Sequence, residues 1–185
     1  NGGGGTDTVS YSRATSAVTV DLSVTSGQST GAGTDTLSNF ENLTGSDYND
    51  TLTGDTGANL ITGGKGDDTL DGDDGDDTLD GGFGDDALDG GADEDTAVYT
   101  TAITAVTVDL DAGTATGQGS DTLTNIENVL GSAYADTLLG DGNDNALDGD
   151  GGNDTLYGAG GDDDLDGGAG TDLADYSAAA SGVTV

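Results

Sequence analysis

The 185-residue chain sets two basic residues, Arg13 and Lys65, against 37 acidic ones, a formal charge of −35 at neutral pH. This balance excludes nucleic acid as a partner and disfavours anionic membrane surfaces, while the lack of Cys and His removes disulfides, thiolate or imidazole metal sites and most nucleophilic or general-base catalysis. Leu, Ile, Val and Phe make up about 17 % of the residues, below the roughly 20 % under which a highly charged chain is expected to stay disordered, so its apolar residues alone should not fold it.

In chain order, residues 2–10 form a Gly-rich opening that ends as part of a repeat. Residues 11–44 begin at Tyr11 and alternate Val18, Val20 and Leu22 on one face with Thr19 and Asp21 on the other, the period of a strand. A Gly-rich loop around residues 28–34 and the stretch Asn39-Phe40-Glu41-Asn42-Leu43 follow. Residues 45–98 contain three consecutive nine-residue words, Gly63 to Asp71 (GGKGDDTLD), Gly72 to Asp80 (GDDGDDTLD) and Gly81 to Asp89 (GGFGDDALD), which reduce to G-G-x-G-x-D-x-U-x.

The pattern then restarts. Tyr99, Val106 to Leu110, Asn125 to Val129 and Gly131 to Asp136 repeat earlier stretches, and Tyr176 begins them again. Tyr11 and Tyr99 lie 88 residues apart, Tyr99 and Tyr176 lie 77 apart, and the difference is one nonapeptide plus two loop residues. Insertions of a whole repeat are what a solenoid tolerates, since each coil touches only its neighbours. The organisation expected is one unit over residues 1–98 (linking strands 11–44, repeat run 45–98), a second over 99–175 (linking strands 99–130, repeat run 131–175) and the start of a third over 176–185. Beginning and ending inside repeats, the chain reads as a piece of something longer. No apolar run approaches the roughly 18 residues of a membrane span, so this piece is not expected to insert into a membrane.

Only three of the 37 acidic residues are Glu (Glu41, Glu94, Glu127), so the short carboxylate is selected. The repeat explains why: a six-residue turn such as Gly63 to Asp68 must point backbone carbonyls inward, which requires positive φ, and a short side chain reaches back to an ion held against its own turn. Carbonyls plus carboxylates make a hard oxygen shell. Calcium accepts six to eight oxygens in flexible geometry, whereas magnesium requires a tighter octahedron, so calcium is the better fit. In the three residues that close each word Leu points inward, placing Leu70, Leu79, Leu88, Leu156 and Leu165 in a narrow interior.

These words resemble the hemolysin-type, or RTX, repeats of secreted bacterial proteins, and the linking stretches resemble those found between such runs. The resemblance implies an all-β fold, a parallel β-roll or β-helix solenoid with calcium ions in the Gly/Asp-rich turns. Two nonapeptides would make one coil, with each ion between turns two repeats apart on the same edge. Carried over residue by residue, the ligands are Asp68, Asp77, Asp86 and Asp95 in the first run and Asp154, Asp163 and Asp172 in the second. Flanking turns offer Asp50, Asn59, Asp136 and Asn145, and Asp7 stands in the same place in the opening segment. Turn glycines Gly64, Gly66, Gly75, Gly82, Gly84, Gly152 and Gly161 contribute the carbonyl-bearing backbone. Pairing turns two apart gives 50 with 68, 59 with 77, 68 with 86 and 77 with 95, then 136 with 154, 145 with 163 and 154 with 172, for about 4 to 7 calcium ions.

Turns that depart from the pattern should bind weakly or not at all. Asp73, Asp150 and Ala159 replace the second Gly, Tyr48, Tyr134, Asn143 and Asp93 the fourth, and Asn59 and Asn145 the Asp. Asp67, Asp76, Asp85 and Asp162 at position five, and Asp71, Asp80, Asp89 and Asp166 at position nine, are read as solvated surface carboxylates. Tyr11, Tyr99 and Tyr176 are read as packing caps, and Glu41 and Glu127 as hydrogen-bonding rather than catalytic groups.

The function expected is a calcium-binding region that folds on metal binding after export, secreted or at the bacterial cell surface. It would serve a larger extracellular protein whose adjoining domains are its partners and hold any catalytic activity. The alternative is an adhesive surface for a glycan or a cell. The position-three residues Lys65, Asp74, Phe83 and Ala92 do not match the Thr of ice-binding relatives of this repeat.

Overall fold

The computed structural model describes residues 1–177, and the expected third unit lies almost wholly outside the described residues. Those residues contain strands and turns and no helix. Each nonapeptide spends six residues on a turn and three on a strand, so two of them make an 18-residue coil with one strand on each face.

On one face, strands Thr8–Ser10, Asn42–Thr44, Leu60–Lys65, Thr78–Phe83, Thr96–Val98, Asn128–Leu130, Ala146–Asp148 and Asp164–Asp166 form an eight-stranded sheet, parallel throughout. The opposite face is a ten-stranded sheet that includes Thr51–Thr53, Thr69–Asp71 and Ala87–Asp89 in parallel register. The fold is the parallel β-roll. Leu43, Ile61, Leu79, Ala97, Val129 and Leu147 stack directly on one another and face Leu52, Leu70 and Leu88, all of them buried. Of the interior leucines expected, Leu165 differs: it lies in the last strand of its sheet, where no coil of the described residues covers it, and is half-buried.

The linking segment 99–130 does not simply add strands to the stack. Thr107–Asp109 joins the ten-stranded sheet parallel to Thr137–Leu139, the chain then reverses, and Thr114–Thr116 runs antiparallel between it and Ser120–Thr124. That last strand lands parallel on Ala87–Asp89. The reversal is set by Gly113, at φ 65, whose N–H closes the turn on the Leu110 carbonyl. In the opposite sheet Thr96–Val98 and Asn128–Leu130 remain immediate neighbours, so both sheets run unbroken from one repeat run to the next.

Because each coil contributes only one large side chain per face, deletion of one should be felt strongly where the stack is closed. In saturating calcium, Leu70→Ala is expected to cost about 3 kcal/mol and Leu165→Ala about 1 kcal/mol. Urea unfolding followed by circular dichroism measures both, and equal losses would contradict the difference in packing.

Candidate metal centres

The turns of the two runs line up along the two edges of the roll, and residues 18 apart meet. The backbone N–H of Asp50 donates to Oδ1 of Asp68 at 2.7 Å, and that of Asp68 to Oδ1 of Asp86 at 2.8 Å. On the other edge Asn59 donates to Asp77 at 2.7 Å and Asp77 to Asp95 at 2.8 Å. The second run repeats this from Asp136 to Asp154, Asn145 to Asp163 and Asp154 to Asp172, at 2.7, 3.1 and 3.0 Å. All seven pairs expected from the repeat spacing are therefore brought together.

Each of these bonds uses one carboxylate oxygen and leaves the other. Oδ2 of Asp68, Asp77, Asp86, Asp95 and Asp154 is buried with no hydrogen-bond partner. Asp68 is 2 % exposed and Asp95 fully buried. The free oxygen faces the next coil: a Cβ placed on Gly63 would strike both Oδ2 of Asp68 and the carbonyl of Gly81, and one on Gly72 both Oδ2 of Asp77 and the carbonyl of Gly90. Two oxygens converge there with no donor between them. No point among the described residues gathers three or more Asp, Glu, His or Cys side chains, so a shell here draws on carbonyls as well as carboxylates. That donor set fits a hard cation and calcium best.

Electrostatics agree. Burial pushes Asp68 and Asp77 up to about 7 and Asp86 and Asp95 up to about 6, against the lowering effect of the N–H each accepts, and neighbouring carboxylates add to the rise. Burial raises Asp154 and Asp163 as well. Unneutralised carboxylates out of water are costly, and the ion pair of Lys65 with Asp47, at 2.8 Å, lies out on the surface. A doubly charged cation would supply the missing neutralisation.

The RTX calcium-binding nonapeptide repeat family matches residues 44–79, 63–97, 124–156 and 139–174, more than half of the chain. The chain belongs to this RTX family. No curated protein matches the sequence. As an RTX repeat region it is a calcium-binding module.

The RTX turns that depart from the consensus are satisfied differently. Asn59 and Asn145 are buried, accept N–H bonds from Asp55 and Asp141 at 2.7 and 2.8 Å, and donate Nδ2 to the carbonyls of Glu41 and Glu127 at 2.8 and 2.9 Å. The amide oxygen takes the place of the orphaned Asp Oδ2, beside the carbonyls of Gly72 and Gly158, but it accepts an N–H and carries no charge, while Nδ2 takes the place of Oδ1. Asp50 and Asp136 are held by the N–H and Oγ of Ser46 and Ser132. At Asp73, Asp150 and Ala159 the backbone keeps positive φ (75, 59 and 68) although glycine is gone, so the turn shape survives at some strain. Among the glycines, Gly84, at φ 141, packs so closely on the carbonyl of Gly66 that a Cβ would collide. Asp172 is exposed because no coil covers it among the described residues.

Three features were not read from the sequence. Glu127 Oε2 accepts the N–H of Asp95 at 3.0 Å, and Glu41 Oε2 that of Asp7 at 2.8 Å, the position held elsewhere by the carboxylate 18 residues on. Beside them the carbonyls of Asn125 and Asn39, at φ 49 and 52, lie against Gly90 and Gly2 as the Gly81 carbonyl lies against Gly63. The signal was the recurrence of Asn-x-Glu-Asn at 39–42 and 125–128. Position-five side chains form a ladder too, with Asp67 accepting the N–H of Asp85 and Asp76 that of Glu94. Asp80 departs from the solvated surface role: it is 8 % exposed, burial pushes it up to about 6, and its charge acts on buried Tyr99.

These shifts fix the sign of the pH response. Carboxyls whose folded, metal-free values are raised stabilise the roll fully below their ordinary value near 3.8 and lose that contribution as pH rises through about 6 to 7. In EGTA the roll is expected to gain stability as pH falls from 7.5 to 4.5. With calcium the order reverses, because protons compete for the same oxygens. Thermal melts at stepped pH with and without EGTA measure both slopes, and a metal-free melting temperature that rises with pH would contradict the assignment.

Proposed function

We propose that this RTX region is a calcium-operated folding module, unfolded in a low-calcium cytosol and folded after export into millimolar calcium outside a bacterial cell. The observation that carries this is the row of buried, unpartnered Asp oxygens, opposed at Asp68, Asp77 and Asp95 by a carbonyl of the next coil. In the proposed arrangement Asp50, Asp68, Asp77, Asp86, Asp95, Asp136, Asp154, Asp163 and Asp172 hold the ions, with carbonyls of the glycine-rich turns, and the edges carrying Asn59 and Asn145 hold them weakly or not at all. Asp7 with Glu41, and Asp95 with Glu127, are further carboxylate pairs of the same geometry.

Magnitudes support a switch. Seven calcium ions would bring 14 positive charges and reduce −35 to −21, relieving much of the self-repulsion. A site of about 0.1 mM affinity in about 1 mM calcium contributes about 1.4 kcal/mol by mass action, and about five such sites contribute about 7 kcal/mol. That is comparable to the whole stability of an ordinary domain. The core alone offers one Leu-sized side chain per face and coil, so metal and fold should be linked. Within a longer protein the module would fold outside the cell and draw out the segments joined to it, consistent with passage through a type I secretion channel.

Circular dichroism in EGTA at pH 7.5, followed by calcium, tests the reading: an unordered spectrum is expected to convert to β, and a β spectrum already present in EGTA would overturn it. Asp68→Ala and Asp86→Ala are each expected to raise the calcium midpoint about tenfold, the loss of about 1.4 kcal/mol. Asp71→Ala, at an exposed position-nine residue whose Oδ1 accepts only the N–H of Asp73, should shift it little.

A further inference from the structure

The linking segment between the runs hides another nonapeptide. Thr116 to Thr124 reads TGQGSDTLT, the repeat pattern with Thr in place of the first Gly, and Thr30 to Ser38 reads TGAGTDTLS in the earlier linking segment. The family matches stop at 97 and resume at 124, so neither word is covered.

The structure stacks residues 118–124 on Gly81 to Asp89 as the turn and strand of the next coil. The N–H of Asp86 donates to Oδ1 of Asp121 at 3.2 Å, as that of Asp68 does to Asp86. Thr122 N–H donates to the Asp86 carbonyl at 2.8 Å, as Ala87 does to that of Asp68. Leu123 sits in register on Leu88 as Leu88 does on Leu70. A Cβ on Gly119 would strike the carbonyl of Gly84, as one on Gly84 would strike that of Gly66. The spacing from Asp86 to Asp121 is 35 residues instead of 18, the strand arrives through a hairpin, and Gly117 lies against Ala105 and Val106, yet from Gln118 onward turn and strand occupy the regular place.

Asp86 is 3 % exposed with Oδ2 unpartnered, and Asp121 is 4 % exposed. In the regular turns the unpartnered oxygen faces the next coil, as Oδ2 of Asp68 faces the Gly81 carbonyl. For Asp86 the next coil is the hidden one. The chain's cations do not neutralise this pair, since Lys65 is joined to Asp47 and Arg13 is exposed. We propose that Asp86 and Asp121 hold a further calcium ion at the seam where the linking segment meets the first repeat run, with Gln118 to Thr124 standing in for the next nonapeptide. The row ends there. Tyr99 lies buried within reach of Asp121, and in the earlier linking segment the Tyr11 phenol donates to Asp35, the residue matching Asp121, at 3.1 Å.

This inference rests on the reading that paired position-six carboxylates bind calcium, and the test separates the two. Native mass spectrometry of the full chain in calcium counts ions on the parent, Asp121→Asn, Asp68→Asn and the control Asp109→Asn, whose Oδ1 only accepts the N–H of Ala112. Asp121→Asn is expected to bind one ion fewer than the parent, Asp68→Asn at least one fewer, and Asp109→Asn the full number. A full count on Asp121→Asn with a loss on Asp68→Asn overturns the seam site alone; full counts on both overturn the broader reading. A second readout keeps every carboxylate in place, in case Asp121→Asn does not fold. The chain has no Trp, so terbium bound at the seam is excited through nearby Tyr99. Tyr99→Phe should lower that emission at unchanged ion count, and unchanged emission overturns the proposal.

Discussion

The structure depends on one repeated hydrogen bond, from the backbone N–H of a position-six residue to the carboxylate 18 residues further on. It fixes the spacing and register of successive coils, and in doing so stacks carboxylates of the same sign in two rows out of water. Each bond satisfies Oδ1 and strands Oδ2. A buried group left in this condition is destabilising by itself, so the contact that orders the backbone also creates the demand for a cation. Fold and metal are consequences of one arrangement.

The interior is too thin to compensate. Each coil adds one side chain such as Leu70 or Leu79 to each face, and the strands are mostly three residues long. Lateral growth is impossible, because widening a coil would separate the two rows of turns from their partners. A roll of this kind gains stability only by adding coils, each bringing one layer of core and its share of carboxylates. Length and charge therefore rise together, and a long chain with a charge of −35 is the expected outcome of the architecture.

Much of this was legible in the sequence. The nine-residue period pointed to a solenoid, and the resemblance to the RTX family supplied two words per coil and with them the seven contacts between turns, which an unbroken repeat leaves little freedom to miss. The hairpin at residues 107–124 was not legible for a physical reason: Val106, Val108 and Leu110 alternate identically whether the strand runs parallel or antiparallel, and direction is set by the turn at Gly113. The positions of Glu41 and Glu127 were hidden because a longer side chain on a shorter turn reaches the same N–H that Asp reaches from a six-residue turn. Asp80 reads like every other position-nine Asp. Its burial comes from tertiary packing, with Tyr99 close enough to feel its charge, and the repeat pattern carries no sign of that.

The departures from the repeat are not scattered. Asn59 and Asn145 each sit 18 residues beyond a linking-segment glutamate and donate to its carbonyl, while Ser46 and Ser132 complete the shells of Asp50 and Asp136. In both units, the first coil after a linking segment satisfies its position-six side chains with protein donors. The unpartnered oxygens of the first run belong to the coils after it, at Asp68, Asp77, Asp86 and Asp95. That first coil, with more of its position-six oxygens bonded by the protein itself, gives the next one a fixed surface of N–H and carbonyl groups to register against. In the proposed arrangement the following coils stack on that template, where metal binding and packing would together oppose the entropy of ordering 18 residues. The substitutions that look like decay of the motif thus mark where each run begins, and under the proposed function calcium dependence would be graded along the axis by chemistry written into single residues.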